Sequence, residues 1–284
     1  MRVIEEIEEM VEAVSRARRE GKRVVFVPTM GYLHEGHIAL LKRGRELGDL
    51  LVMSIFVNPI QFGPAEDFTT YPSDLETDKK QAKRGGVDVI FTPRRDELFP
   101  GEYQTFVEVR SLQRNLCGLF RPTHFTGVAT IVLKLFNIVR PHCAVFGEKD
   151  YQQLAVIRRM VEDLHLPVEV EGCPIVREPD GLAMSSRNSY LTPEERRSAL
   201  AIYRALCKGQ ALFEDGERDA MAVIGGMKEV LNREKGVKVE YLKVCDRTTL
   251  VDIYDIGEAA LLAVAARVGR TRLIDNIVVE ETGR

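Results

Sequence analysis

His34 and His37 stand three residues apart in the segment P-T-M-G-Y-L-H-E-G-H-I-A-L, Pro28–Leu40, directly after the apolar run V-V-F-V. If a helix begins near them, residues three apart share one face. The first turn of that helix also offers unpaired backbone N–H groups, which favour an anion. Gly31 and Gly36 let the backbone approach a ligand closely. Two imidazoles and a helix N-terminus on one spot make a site suited to phosphate. A metal is the weaker reading of this pair. H-E-G-H lacks the H-E-x-x-H spacing, and no third ligand lies nearby at a convincing interval.

Three other polar clusters carry similar potential. Asn58 and Gln61 in N-P-I-Q-F supply neutral amides, with donors and acceptors for hydroxyls and a carboxylate; a simple Asn-Pro turn cap is the plain alternative. Gly147–Gln153 reads G-E-K-D-Y-Q-Q. There Lys149 can meet a phosphate as a point charge, Asp150 can cap a helix or hold a ribose hydroxyl, and Gln153 lies one turn in on the inner face. A capped helix with a surface lysine is the alternative here. Met184–Asn188 reads M-S-S-R-N, with two hydroxyls, Ser185 and Ser186, and the Arg187 guanidinium, for a polyphosphate.

The surrounding pattern places these clusters at strand ends. Val24–Val27, Leu50–Val57, Val87–Phe91, Cys143–Phe146 and Val168–Val170 read as strands. Helices are predicted over His37–Leu47, Ser73–Lys83, Thr126–Val139 and Tyr151–Leu164, the second opened by an S-D-L-E capping box. Ile4, Ile7, Val11 and Val14 recur at helical spacing at the N-terminus. Short apolar strands alternating with helices predict a Rossmann-like parallel sheet with helices on both faces. In such sheets ligands bind beyond the carboxyl ends of the strands, where the first three clusters fall. After Cys173 the pattern changes. T-P-E-E opens a helix with Thr192 as N-cap, Pro193 first and Glu195 closing the box. A second helix and three strands without intervening helices follow. Residues 1–173 are therefore expected to form an α/β domain and residues 174–284 a smaller α+β domain with an antiparallel sheet.

Composition excludes several classes. The 284 residues are 45% hydrophobic, enough for a substantial core. Forty basic against 43 acidic residues give a net charge of −3, so there is no global attraction to nucleic acid or an anionic membrane. No run of 18 apolar residues suggests a membrane span. The N-terminus M-R-V-I-E-E-I-E-E-M carries acids where a signal peptide needs an apolar run. Five cysteines, an odd number without a C-x-x-C pair, argue against a disulfide framework or zinc site and for the cytoplasm.

The string T-x-G-x-L-H-x-G-H resembles the H-x-G-H signature of adenylyl- and nucleotidyl-transferring enzymes, class I aminoacyl-tRNA synthetases among them, which bind ATP without a P-loop. Neither G-x-x-x-x-G-K-[ST] nor G-x-G-x-x-G is present. This signature alone leaves open a cytidylyltransferase or a nucleotide-sensing module without turnover. P-T-M-G-Y-L-H-E-G-H, N-P-I-Q-F, G-E-K-D-Y-Q and M-S-S-R-N in this order, spanning Val24 to Asn188, together resemble the pantothenate synthetase (pantoate–β-alanine ligase) family. The C-terminal third matches no separate motif.

That resemblance implies condensation of pantoate with β-alanine through a pantoyl adenylate, using ATP and releasing AMP and pyrophosphate. It implies catalytic roles for His34, His37, Lys149, Ser186 and Arg187, with His37 donating to the departing pyrophosphate. ATP contacts would come from Met30, His34, Gly36, His37, Gly147, Glu148, Lys149, Asp150, Val176, Met184, Ser185, Ser186 and Arg187. Pantoate would be held by Gln61, Gln153 and Asn58, and β-alanine by Gln61. Mg2+ is expected with ATP, and Asp78 is a weak candidate for a water-mediated metal contact. The resemblance further implies that residues 174–284 close as a lid and that the protein is a homodimer.

Overall fold

The computed structural model describes residues 1–64 and 66–281. Two compact units divide the chain. One holds Met1–Arg110, Arg121–Glu148 and Gln153–Pro174; the other holds Ser111–Phe120, Lys149–Gln152 and the chain from Ile175 onward.

The first unit is built on six parallel strands: β1 (Arg2–Ile4), β2 (Val24–Thr29), β3 (Leu50–Ile55), β4 (Val89–Phe91), β5 (Cys143–Gly147) and β6 (Glu169–Cys173). Their order is β1-β4-β3-β2-β5-β6. The helices along this part of the chain are α1 (Ile7–Arg19), α2 (Glu35–Leu47), α3 (Leu75–Arg84), the short α4 (Arg95–Leu98) and α5 (Cys117–Phe120), α6 (His124–Val139) and α7 (Tyr151–Asp163). The parallel sheet agrees with the expected α/β class. Val24, Val25, Phe26 and Val27 of β2 are all fully buried, as a central strand covered on both faces requires. Val25 and Val27 pack with Ile38 and Leu41 of α2. Phe26 points the other way and meets Phe136 of α6 edge-on, centroids 6.5 Å apart. Each such buried side chain contributes about 1.5–3 kcal/mol. Because β2 lies between β3 and β5, strand order reverses at β2 and β5. Their carboxyl ends form the switch point where α/β sheets bind ligands.

Two local expectations are corrected. Ile4 belongs to β1, in register with Phe91, rather than to the first helix. Its helical spacing from Ile7 is coincidental, because pairing with β4 is long-range. α3 is capped by Asp74, not Ser73: its side chain accepts from Thr77 N at 3.0 Å and from Thr77 Oγ1 at 2.7 Å.

The second unit carries an antiparallel sheet of β7 (Val237–Cys245), β8 (Ala259–Val268) and β9 (Thr271–Glu280) in that order, with α8 (Pro193–Glu214) and α9 (Ala220–Asn232). Ile202, Leu206 and Phe213 of α8 and Val223 and Met227 of α9 join Leu262 and Val264 of β8 in its core. The Thr192–Glu195 capping box forms as expected. Ser111–Phe120 and Lys149–Gln152, which the sequence pattern groups with residues 1–173, sit in this unit. Gln152 joins them: its Oε1 accepts from Cys117 N at 2.9 Å, and its Nε2 donates to Leu112 O and Asn115 O at 2.8 and 2.6 Å.

Candidate active site

The turn after β2 is shaped before the histidines are reached. Thr29 Oγ1 donates to Ser54 O at 2.7 Å and accepts from Gly31 N at 3.2 Å. Gly31 and Tyr32 then take φ of 83° and 52°. This consecutive left-handed turn aims two backbone N–H groups at one point, and Asp78 of α3 fills it. Its carboxylate accepts from Tyr32 N at 2.9 Å and Leu33 N at 2.7 Å. Burial pushes the Asp78 pKa up, and the two N–H donors offset only part of that. Asp78, 1% exposed, thus anchors the loop.

The turn delivers His34 to the N-cap of α2. His34 Nδ1 accepts from Gly36 N, and His37 Nδ1 accepts from His34 N, both at 3.2 Å. The two imidazoles cap the helix reciprocally, the role usually taken by Ser or Thr with Glu. Their rings lie 4.1 Å apart between centroids, tilted by 45°. Since each Nδ1 is an acceptor, this hydrogen-bond pattern assigns the proton to Nε2 in both rings. The pair therefore presents two N–H donors beside a helix N-terminus. The helix begins at Glu35, two residues before the expected start, because the histidines are its cap and first turn.

The amides of N-P-I-Q-F divide the work. Pro59–Gln61 is a single 3-10 turn. Asn58 is 1% exposed; its Nδ2 donates to Gln61 Oε1 at 2.9 Å and to Gly127 O at 3.1 Å. Asn58 thus turns inward and orients the Gln61 amide. Gln61 Nε2 donates to Met30 Sδ at 3.2 Å, so Met30 and Gln61 are neighbours. The Gln61 carbonyl accepts from His124 Nδ1 at 2.9 Å and Arg121 Nη2 at 3.4 Å. Arg121 in turn grips Glu66 through Nε and Nη2, at 2.7 and 2.6 Å.

Glu148–Asp150 forms one 3-10 turn between Gly147 at the end of β5 and α7. Lys149 Nζ lies 3.8 Å from Asp150. In the second unit, Val176 and Met184 face each other across a hairpin, Met184 N donating to Val176 O at 2.9 Å. Ser185 caps the next turn, accepting from Arg187 N at 3.3 Å, and Ser186 is buried within it. Val176, Met184, Ser185, Ser186 and Arg187 therefore share one hairpin and turn. Of the paired glutamines on α7, Gln152 is buried in the structural contacts described above, while Gln153 is half-buried.

A family profile described as pantoate-β-alanine ligase matches residues 2–278. The chain belongs to the pantoate–β-alanine ligase family. It is 54% identical over 280 residues to the pantothenate synthetase of Desulfatibacillum aliphaticivorans, covering 99% of this chain and 100% of that one. It is 53% identical over 279 residues to that of Thermotoga neapolitana, covering 98% and 100%. The crystal structure of pantothenate synthetase from Thermus thermophilus superposes with a TM-score of 0.93 at 45% identity, over 98% of this chain and 99% of that one. Pantoate-β-alanine ligase from Francisella tularensis, complexed with β-γ ATP and β-alanine, gives 0.80 at 32% identity, over 100% and 99%.

The contacts that Arg121, His124 and Gly127 make with the Gln61 turn were not expected from the sequence. A Cβ on Gly127 would lie 2.5 Å from Ile60 O and 2.6 Å from Gln61 Cα. Glycine there is what lets α6 sit against the Gln61 turn. R-P-T-H-F-T-G, just before an apolar helix, held the available signal: a histidine and a glycine three apart at a helix start. Among the described residues no group of three or more His, Cys, Asp or Glu side chains is placed to hold a metal ion.

Proposed function

We propose that this chain joins pantoate to β-alanine at the cost of ATP, in two steps set by the parts described above. The pantoate carboxylate attacks the α-phosphorus, the bond to the β-phosphate oxygen breaks, and pyrophosphate leaves. The β-alanine amine then attacks the acyl carbon of pantoyl adenylate, AMP leaves, and the amine loses a proton. A carboxylate needs this activation because it is otherwise a poor acylating group.

The reciprocal imidazole cap is the observation that carries the reading. It keeps a proton on Nε2 of both His34 and His37 and sets them at a helix N-terminus, where an anion is already favoured. In our reading His37 Nε2–H donates to the pyrophosphate oxygen as it gains charge, and His34 to a neighbouring phosphate oxygen. Lys149, Ser186 and Arg187 stabilise the same charge, each by about a hundred- to a thousandfold in rate. Met30, Gly36, Gly147, Glu148, Asp150, Val176, Met184 and Ser185 hold adenine, ribose and phosphates, largely through backbone. Gln61 and Gln153 clasp pantoate, with Gln61 also at the β-alanine site. Asn58 orients the Gln61 amide, and its own buried Oδ1, which has no hydrogen-bond partner among the described residues, suits a pantoate hydroxyl. Mg2+ would arrive on the triphosphate with its waters, neutralising phosphate charge, as that ion commonly does.

A homodimer and residence in the cytoplasm belong to the same reading. No helix among the described residues is long and apolar enough to cross a membrane. Four of the five cysteines are buried free thiols, which suits a reducing compartment.

The deciding assay supplies ATP, magnesium, pantoate and β-alanine and measures AMP and pantothenate, with pantoate-dependent ATP–pyrophosphate exchange isolating the first step. His37→Ala should nearly abolish exchange while the protein stays folded, destabilised by no more than the loss of a helix cap costs, about 0.5–2 kcal/mol. Near-normal exchange by that variant removes His37 from the mechanism, and exchange driven by a phosphorylated substrate in place of pantoate overturns the proposed substrate.

A further inference from the structure

Two adjacent side chains of β9, Asp275 and Asn276, are 5% and 6% exposed, although β9 is an edge strand. Successive side chains of a strand point to opposite faces. Asp275 lies on the core face with Leu273 and Val279. There it takes a two-pronged contact from Arg177, Nη1 to Oδ2 at 2.6 Å and Nη2 to Oδ1 at 3.0 Å. The Arg177 guanidinium also stacks 3.9 Å above the centre of the Tyr203 ring, and its Nη1 donates to Gly181 O at 3.2 Å. This fixes the hairpin that carries Val176 and Met184. Asn276 lies on the other face, where its Nδ2 donates to the backbone oxygen of Lys149 at 2.9 Å. The Asn276 backbone N–H donates to Asp275 Oδ1 at 2.8 Å, tying the Asp275 carboxylate to the main chain that carries Asn276. The turn Ser186–Tyr190 packs along the same strand.

A buried amide donating to a backbone carbonyl fixes where the following side chain starts. Lys149 has a flexible four-carbon stem, so its ammonium is only as well placed as its backbone. We propose that Asn276 is a positioning residue for Lys149, and that β9 thereby holds the lysine in fixed relation to the 176–187 hairpin and turn. This rests on the reading of Lys149 as a phosphate contact given above. Asn276 touches no reacting atom in this proposal; it acts through the Lys149 backbone.

The test is a double-mutant cycle on Asn276→Ala and Lys149→Ala, read by pantoate-dependent ATP–pyrophosphate exchange, by the β-alanine-dependent second step and by thermal melting. Asn276→Ala should lower the exchange rate about tenfold, since a misplacement of about 1 Å can cost up to a hundredfold. It should leave the KM for β-alanine unchanged. In the Lys149→Ala background it should change exchange by less than about twofold, because the group it positions is gone. Asn276→Asp, equal in size but without the donor, repeats the comparison and replaces the alanine variant if that one fails to fold. A full additional loss in the Lys149→Ala background, or wild-type exchange by both Asn276 variants, overturns the inference while leaving Lys149 in place. Normal exchange by Lys149→Ala alone overturns the Lys149 reading and the inference with it.

Discussion

Replacing Asp78 by Asn isolates what the buried carboxylate does for the histidine pair. Each carboxylate oxygen accepts one backbone N–H, from Tyr32 and Leu33. Asn has the same shape but a single acceptor oxygen. One bond survives, and the new Nδ2 faces the other N–H donor to donor. A hydrogen bond to a charged acceptor contributes about 1.5–3 kcal/mol, and a buried donor left unpaired costs about 1–3 kcal/mol. The substitution also removes the desolvation of the charge, the largest influence on Asp78. These two effects oppose each other in global stability, so the melting temperature should fall less than the lost hydrogen bond alone would give. They do not cancel within the turn. Tyr32 sits at φ 52°, which costs a non-glycine residue about 1–2 kcal/mol, and the paired acceptors are what hold it there. Relaxation of the turn moves the imidazole cap, and a shift of about 1 Å costs about a hundredfold in rate.

The assay is pantoate-dependent exchange at saturating ATP, with melting measured in parallel. A hundredfold loss with a modest change in melting is expected. The pH dependence adds a second signature. The turn needs the ionised carboxylate, so exchange falls as pH drops through the folded pKa of Asp78, which lies above the ordinary aspartate value. Stability runs the other way. A raised folded pKa means the contribution is fully present below the unfolded pKa and is lost as pH rises through the folded one. Exchange within twofold of wild type in Asp78→Asn would refute the anchoring argument. An altered magnesium requirement with an unchanged maximal rate would make Asp78 a cation contact instead.

Further outcomes follow from the same geometry. Gly127→Ala forces a Cβ to 2.5 Å from Ile60 O and 2.6 Å from Gln61 Cα, backbone atoms that cannot rotate away. It should destabilise by about 1–3 kcal/mol in urea titrations and raise the KM for pantoate more than that for ATP. Gly31→Ala would bring a Cβ within 2.8 Å of Asp78 Oδ2 at φ 83°; a loss of exchange at least as large as that of Asp78→Asn is expected. Burial raises the Glu66 pKa, but the Arg121 guanidinium outweighs it and the net shift is downward. Its contribution to stability is present above the unfolded carboxylate pKa and fades as pH falls through the lower folded value. Glu66→Gln should therefore flatten that part of an acid-unfolding curve. Burial pushes the Cys245 thiol up to about 12, leaving about one thiolate in ten thousand at pH 8. Mass spectrometry after alkylation of the native protein should find Cys245 unmodified, and modified once urea is added.

What could be read in advance divides by the range of the interaction that encodes it. V-V-F-V announced a strand covered on both faces because burial acts on each residue's own type. The expectation of a phosphate site at His34 and His37 could be formed because their spacing and the glycines beside them are local. Their reciprocal cap was not legible, since histidine is not a usual cap and the choice of Nδ1 over Nε2 depends on backbone geometry. Ile4 was misread because helical spacing is local and its pairing with Phe91 is not. The residues that hold the backbone of the proposed site in place were the hardest to see. Asp78 acts on the N–H groups of Tyr32 and Leu33, Gly127 makes room for the backbone of Ile60 and Gln61, and Asn276 donates to the carbonyl of Lys149. Each acts on main-chain atoms far away in the chain. A main-chain group is the same in every residue apart from proline's missing N–H, so the receiving end carries no mark in the sequence. It follows that substitutions at Tyr32 or Ile60 that keep the backbone in place should be tolerated, while Asp78, Gly127 and Asn276 should not tolerate change. A saturation scan in which Tyr32 proved as restricted as Asp78 would show that the Tyr32 side chain itself, and not its N–H, matters to the turn.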